Sequence, residues 1–153
     1  MKNFNHIMKS ILLISTFAFA TPQLYGESKG IIVVSKDVNI EKLTKDELER
    51  IFLGKTTIWD NGKRIQIGLS TADNDKTKNF FKNYIGKTQR RFKKYWLKLV
   101  FAGYGTAPKL FKDCSKTINY TKNKEGVISF VTTQNLEDIE GIKILTIDGK
   151  KYF

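Results

Sequence analysis

Between a strand-like run and a helix-like run, Ser70, Thr71, Asp73, Asn74, Asp75, Lys76 and Thr77 bring together hydroxyls, an amide, a lysine and two carboxylates. A strand-to-helix turn aims unpaired backbone N–H groups and the positive end of a helix dipole at one spot, which suits a small anion. Most helix N-termini hold only water or their own cap, so the turn by itself is a general device. Asp73 and Asp75 stand two apart in a cap region, where carboxylates satisfy backbone N–H groups more often than they form an acid–base pair. Cys114 lies near Phe111 and Ile118 on an apolar helical stripe and reads as a small buried hydrophobe. The single cysteine excludes an intramolecular disulfide and a thiolate-rich zinc site. The single histidine, His6, falls in a removable leader, so a mature chain offers no imidazole base and no His-supported nucleophile. No catalytic residue, metal ligand or cofactor is therefore expected, and an enzyme is the least favoured class.

The elements that position the turn can be read from local signals. Gly30 to Ser35 is a β-branched run suited to a strand buried on both faces, as in a parallel sheet with helical crossovers. A helix follows, with Thr44 and Glu47 as a capping box, Leu43 and Leu48 at staple positions and Gly54 as its stop. Arg64 to Ser70 alternates as a strand with Ile65, Ile67 and Leu69 on one face. A second helix carries Phe80, Phe81, Tyr84 and Ile85 and ends at Gly86. Thr88 caps a third, whose apolar stripe is Phe92, Tyr95, Trp96, Leu99 and Val100. Its outer face holds Arg90, Arg91, Lys94 and Lys98, an arrangement ordinary for a surface helix packed on a core. Gly103 and Gly105 mark a turn, and Pro108 suits the first position of a fourth helix with Leu110, Phe111, Cys114 and Ile118 inward. Gly126 to Val131 and Ile142 to Ile147 read as strands, the latter before an Asp148-Gly149 turn.

The chain of 153 residues, 41% hydrophobic, fits one α/β domain without repeats or linkers. Lys2, Lys9 and the apolar run Ile11 to Ala20 form a basic n-region and short h-region, too short to span a bilayer. Residues 1–26 are thus expected to be a signal peptide, cut after Ala20 or Gly26. Residues 27–153 would be the mature domain, soluble in the periplasm and not membrane-spanning. The net charge is +12, or +10 without Lys2 and Lys9. Export argues against nucleic acid as partner, and a solvated lysine-rich surface is the simplest account.

Several passages together resemble one family. Leu43 to Lys55 followed by Trp59 is similar to the "L-S-x-x-x-L-x-x-I-F-x-G-K-x-x-x-W" passage of phosphate-binding proteins of bacterial ABC transporters. Tyr95-Trp96 through Phe101-Ala102-Gly103, the Pro108 segment and Gly126 to Val131 follow in the order found in short secreted members of that periplasmic-binding-protein superfamily. The resemblance, over about Ile31 to Val131, implies a single three-layer-like α/β lobe of a type II periplasmic binding protein, a mixed or parallel sheet flanked by helices. It implies a solute-binding role in transport, with a small anion such as phosphate as ligand and a transporter or envelope protein as partner. The family's "D-G-S-G-T" anion segment matches Asp73 to Thr77 at Asp73 and Thr77 only. Missing glycines and the added Asp75 charge imply weak binding. The alternative is an interaction module that has lost ligand binding, its basic helix meeting an acidic protein or an anionic envelope surface.

Overall fold

The computed structural model describes residues 28–133 and 139–153, so the expected signal peptide lies outside the described residues. In chain order the elements are β1 (Lys29–Val34), β2 (Lys42–Leu43), α1 (Lys45–Phe52), β3 (Gln66–Ser70), α2 (Asp75–Tyr84), α3 (Gln89–Phe101), β4 (Lys109–Phe111), α4 (Cys114–Asn123), β5 (Val127–Thr133) and β6 (Lys143–Ile147). They build one mixed six-stranded sheet in the order β2-β6-β1-β5-β3-β4. β5, β3 and β4 are parallel to one another, whereas β1 is antiparallel to both of its neighbours, β5 and β6. The parallel setting expected for β1 is thus corrected. Its side chains are buried on both faces because helices cover both faces of the sheet, not because its neighbours run with it.

Alternation along β1 separates two cores. Ile32 and Val34 join Leu48, Phe52, Phe80, Phe81, Phe92, Trp96 and Phe130 beneath α1, α2 and α3. Ile31 and Val33 join Val131 and Ile118 of α4 on the other side. The larger core is aromatic. Phe80 stacks on Phe130 with ring centroids 4.0 Å apart and 4° between planes, and meets Phe52 edge-on at 5.4 Å.

Most local signals hold. Thr44 and Glu47 form the capping box and Thr88 caps α3, as expected, while Asn74 caps α2 and Asp113 caps α4. One expectation fails in an informative way. Pro108 does not open a helix: Lys109–Phe111 is an edge strand paired in parallel with Gly68–Ser70, and α4 starts only at Cys114. Proline tolerates the edge of a sheet as well as the first turn of a helix, and a tertiary partner decided between them. Leu110 is consequently exposed rather than inward, as is Val100 at the far end of the α3 stripe.

The Ile51-Phe52-Leu53-Gly54 passage and the Tyr95-Trp96 pair explain each other. Trp96 Nε1 donates to the Phe52 carbonyl at 3.0 Å, and Tyr95 OH donates to the Leu53 carbonyl at 2.7 Å. These carbonyls end α1 and have no helical partner of their own. Gly54, at φ 68°, leaves the space that the Trp96 ring fills; a Cβ there would stand 2.7 Å from the indole. Trp96→Ala should cost about 3 to 5 kcal/mol. Gly54→Ala should also lower the urea midpoint clearly, and Lys94→Ala should leave it unchanged. Equal midpoints for Gly54→Ala and wild type would refute the packing.

Asp37 ties β1 to the start of β5: its carboxylate accepts from the Gly126 N–H at 3.0 Å and pairs with Lys63 at 3.2 Å. Burial acts to raise the Asp37 pKa, but hydrogen bonds from Ser35, Lys63 and Gly126 outweigh it and hold the carboxyl below its ordinary 3.8. A folded value below the unfolded one stabilises the protein above the unfolded pKa, and that contribution is lost as pH falls through the folded value. Asp37→Asn should therefore be less stable than wild type at neutral pH, with the gap closing below about pH 4. A gap that stays constant into acid would count against the ion pair.

Candidate functional site

β3 and β4 run in parallel, and each is followed by a helix, so α2 and α4 begin at the same end of the sheet, beside the end of β5. Ser70 from β3, Cys114 from α4 and Thr132 from β5 meet there. The Cys114 thiol donates to Ser70 Oγ at 3.1 Å and lies 3.2 Å from Thr132 Oγ1. Asn74 Nδ2 donates to Thr132 Oγ1 at 3.3 Å, and Asn74 Oδ1 accepts the Thr77 N–H at 2.8 Å. Asn74 thereby caps α2 and anchors it to β5 at once. In open α/β sheets this location, at the carboxyl ends of parallel strands, is where ligands bind.

The residues expected from the sequence divide into two groups. Ser70, Asn74 and Thr77 converge, with Ser70 and Thr77 fully buried. The other four are peripheral or differently engaged. Thr71 donates both its N–H and its hydroxyl to the Phe111 carbonyl, at 2.7 and 3.0 Å, and so fastens β4 to β3. Asp73 is exposed and pairs with Lys78 at 3.0 Å. Asp75 is exposed in the first turn of α2, where its charge complements the dipole, and Lys76 beside it is half-buried.

Thr77 Oγ1 has no hydrogen-bond partner, and it is the sole such buried side-chain oxygen or nitrogen among the described residues. Leaving a buried hydroxyl unmatched costs about 1 to 3 kcal/mol, so the position calls for an explanation.

Cys114 and Thr132 were not singled out for this site. Cys114 is not the buried hydrophobe expected on a stripe with Phe111; it is half-buried at the first position of α4 among hydroxyls. A signal for Thr132 existed, since a polar Thr-Thr pair closes, at its carboxyl end, a strand that is otherwise apolar apart from Ser129.

No protein-family model and no curated protein sequence matches the chain. Solved structures do. PstS from Borrelia burgdorferi superposes with a TM-score of 0.60 at 16% identity, over 80% of this chain and 49% of that one. An ABC-type phosphate transport receptor from Vibrio cholerae gives 0.59 at 15% identity, over 82% and 48%. A third, from Clostridium perfringens and with bound phosphate, gives 0.60 at 14%, over 81% and 46%. The chain has the fold of a single lobe of these phosphate-binding proteins, as the resemblance implied, and spans about half their length.

Asn74→Ala removes both the cap and the link to Thr132 and should cost about 1 to 2 kcal/mol. Asp73→Ala, which breaks only the exposed pair with Lys78, should leave the unfolding midpoint in place. Equal losses for the two variants would contradict the assignment of Asn74 as the anchor.

Proposed function

We propose that this is an exported periplasmic protein of the solute-binding type that holds a small oxyanion such as phosphate against the N-terminal turns of α2 and α4. The observation that carries the reading is the buried, unpartnered hydroxyl of Thr77, in the turn capped by Asn74 and next to the Ser70, Cys114 and Thr132 cluster. A tetrahedral oxyanion offers acceptor oxygens to that hydroxyl and to Ser70. The two helix N-termini favour its charge, and Lys76 is the nearest cation along the chain. The bound phosphate of the Clostridium perfringens structure supports the ligand class. Ser70 and Thr77 are buried, so the turn has to open to admit the anion, and that cost holds affinity at micromolar at best.

Calorimetry with phosphate and sulfate at low and moderate salt tests this. Thr77→Val keeps the shape of the side chain and removes a hydroxyl that is unsatisfied in the free protein. Its unfolding midpoint should hold or rise while anion binding is lost. Ser70→Ala should weaken binding as well. Unchanged binding in both variants would place the anion elsewhere, and no heat with any anion would favour the interaction-module reading.

A further inference from the structure

We propose that the outer face of α3 docks the protein onto an anionic lipid surface. The inner side of α3 is Phe92 and Trp96, with Tyr95 and Leu99 at its margins. Directly opposite, Arg90, Lys94, Leu97 and Phe101 follow one another at i, i+4, i+7 and i+11 along a single line. Arg91, Lys93 and Lys98 flank that line, all of them exposed, and the 13-residue helix contains no acid. Towards its C-terminal end the line turns apolar: Leu97 is 57% exposed and Phe101 84%, with Tyr104 at 73% just past the cap. Large side chains held this far into water beside one another mark a contact surface, because removing them from water is favourable.

At its basic end, α3 forms one wall of an open cleft of about 680 Å³ whose other wall is α2. Lys82 and Lys87 extend the positive charge there, and the one acid of the lining, Asp73, is paired with Lys78.

The occupant follows from both halves of the face. Cations along the line and its flanks favour a negative surface, and the exposed apolar end of the same line favours oil beneath that surface. Anionic headgroups over acyl chains supply both, with the Lys and Arg stems snorkelling towards phosphates while Leu97 and Phe101 enter the boundary. A second copy of this chain fits poorly, since it brings the same basic helix and a net charge of +10 without Lys2 and Lys9 of the leader. An acidic protein matches the cations but leaves Phe101 without a counterpart. The proposal does not rest on the anion site.

Vesicle co-sedimentation of the chain from Glu27 onwards, without the basic and apolar leader that would itself partition into anionic vesicles, provides the test, with all variants prepared identically. Wild type should pellet with vesicles of equal phosphatidylcholine and phosphatidylglycerol and stay in solution with phosphatidylcholine alone, and the binding should weaken as salt rises. The double variant Arg90→Glu/Lys94→Glu and the double variant Leu97→Ser/Phe101→Ser should each reduce partitioning about tenfold or more. Lys112→Glu/Lys116→Glu, an equal charge change at and before α4, should have a much smaller effect. Unfolding midpoints confirm that the variants fold. Free inorganic phosphate at matched ionic strength should not release the protein. The proposal is overturned by equal binding to neutral vesicles, by release with free phosphate, or by an equal loss in the α4 control. Sensitivity to the charge variant without sensitivity to Leu97→Ser/Phe101→Ser also overturns it, because attraction by charge alone would suit any polyanion and needs no acyl layer.

Discussion

The stacking of Phe80 on Phe130, ring on ring at 4.0 Å, is the contact on which the rest of the molecule depends. It fixes α2 to β5 in both position and rotation, because two flat rings in contact permit little sliding that does not uncover apolar area. Thr77 lies one turn before Phe80, and Thr132 lies two residues after Phe130. The stack therefore sets the reach of Asn74 to Thr132, and with it the placement of the α2 N-terminus over the end of the sheet. From Phe80 the aromatic contacts pass to Phe52 of α1 and, through Phe81, to Phe92 and Trp96 of α3. Three helices are thus held on one face by a connected set of rings.

The opposite face is organised by hydroxyls as much as by hydrocarbon. Thr121 Oγ1 and Ser129 Oγ lie 2.8 Å apart in the buried layer between α4 and β5, and Thr121 also reaches the Thr117 carbonyl at 2.9 Å. Such bonds are directional where apolar contacts are not, so they index the rotation of α4 and deliver its first residue, Cys114, to Ser70. Two differently built interfaces consequently place two helix N-termini at one end of one sheet. The site is a by-product of topology, since a helix that follows a parallel strand must begin where that strand ends.

Charge is distributed differently at the candidate site and on the surface. At the site the cations are few and Asp73 is neutralised outside it by Lys78, whereas α3 concentrates cations on a face that is exposed among the described residues. Screening by salt weakens the second much more than a buried set of dipoles, because exposed charges interact through water. Ionic strength is thus the natural variable that separates the proposed binding at the turn from the proposed docking through the helix.

Local chemistry was legible in the sequence where a residue's partner lies within one turn of it. Thr44 with Glu47 and the stripe of Phe92 and Trp96 follow from spacing of three or four residues, and the chain folds them as read, whereas the structure selects Asn74 as the cap among several candidates in its turn. The Ser70 to Thr77 turn was also recognisable, since strand alternation stops and capping residues begin. What no local pattern contains is the partner across the sheet. The reversed direction of β1, the pairing of Lys109–Phe111 as an edge strand rather than a helical turn, and the binding of Thr71 to Phe111 all depend on which strands lie adjacent. For the same reason the sequence showed Cys114 as a hydrophobe, whereas Ser70, 44 positions away, and Thr132, 18 away, surround it with hydroxyls. Short-range propensity selects among local shapes at a cost of a few tenths to one kcal/mol per residue, about. The larger free energy of burying two faces of a sheet decides which of those shapes are kept.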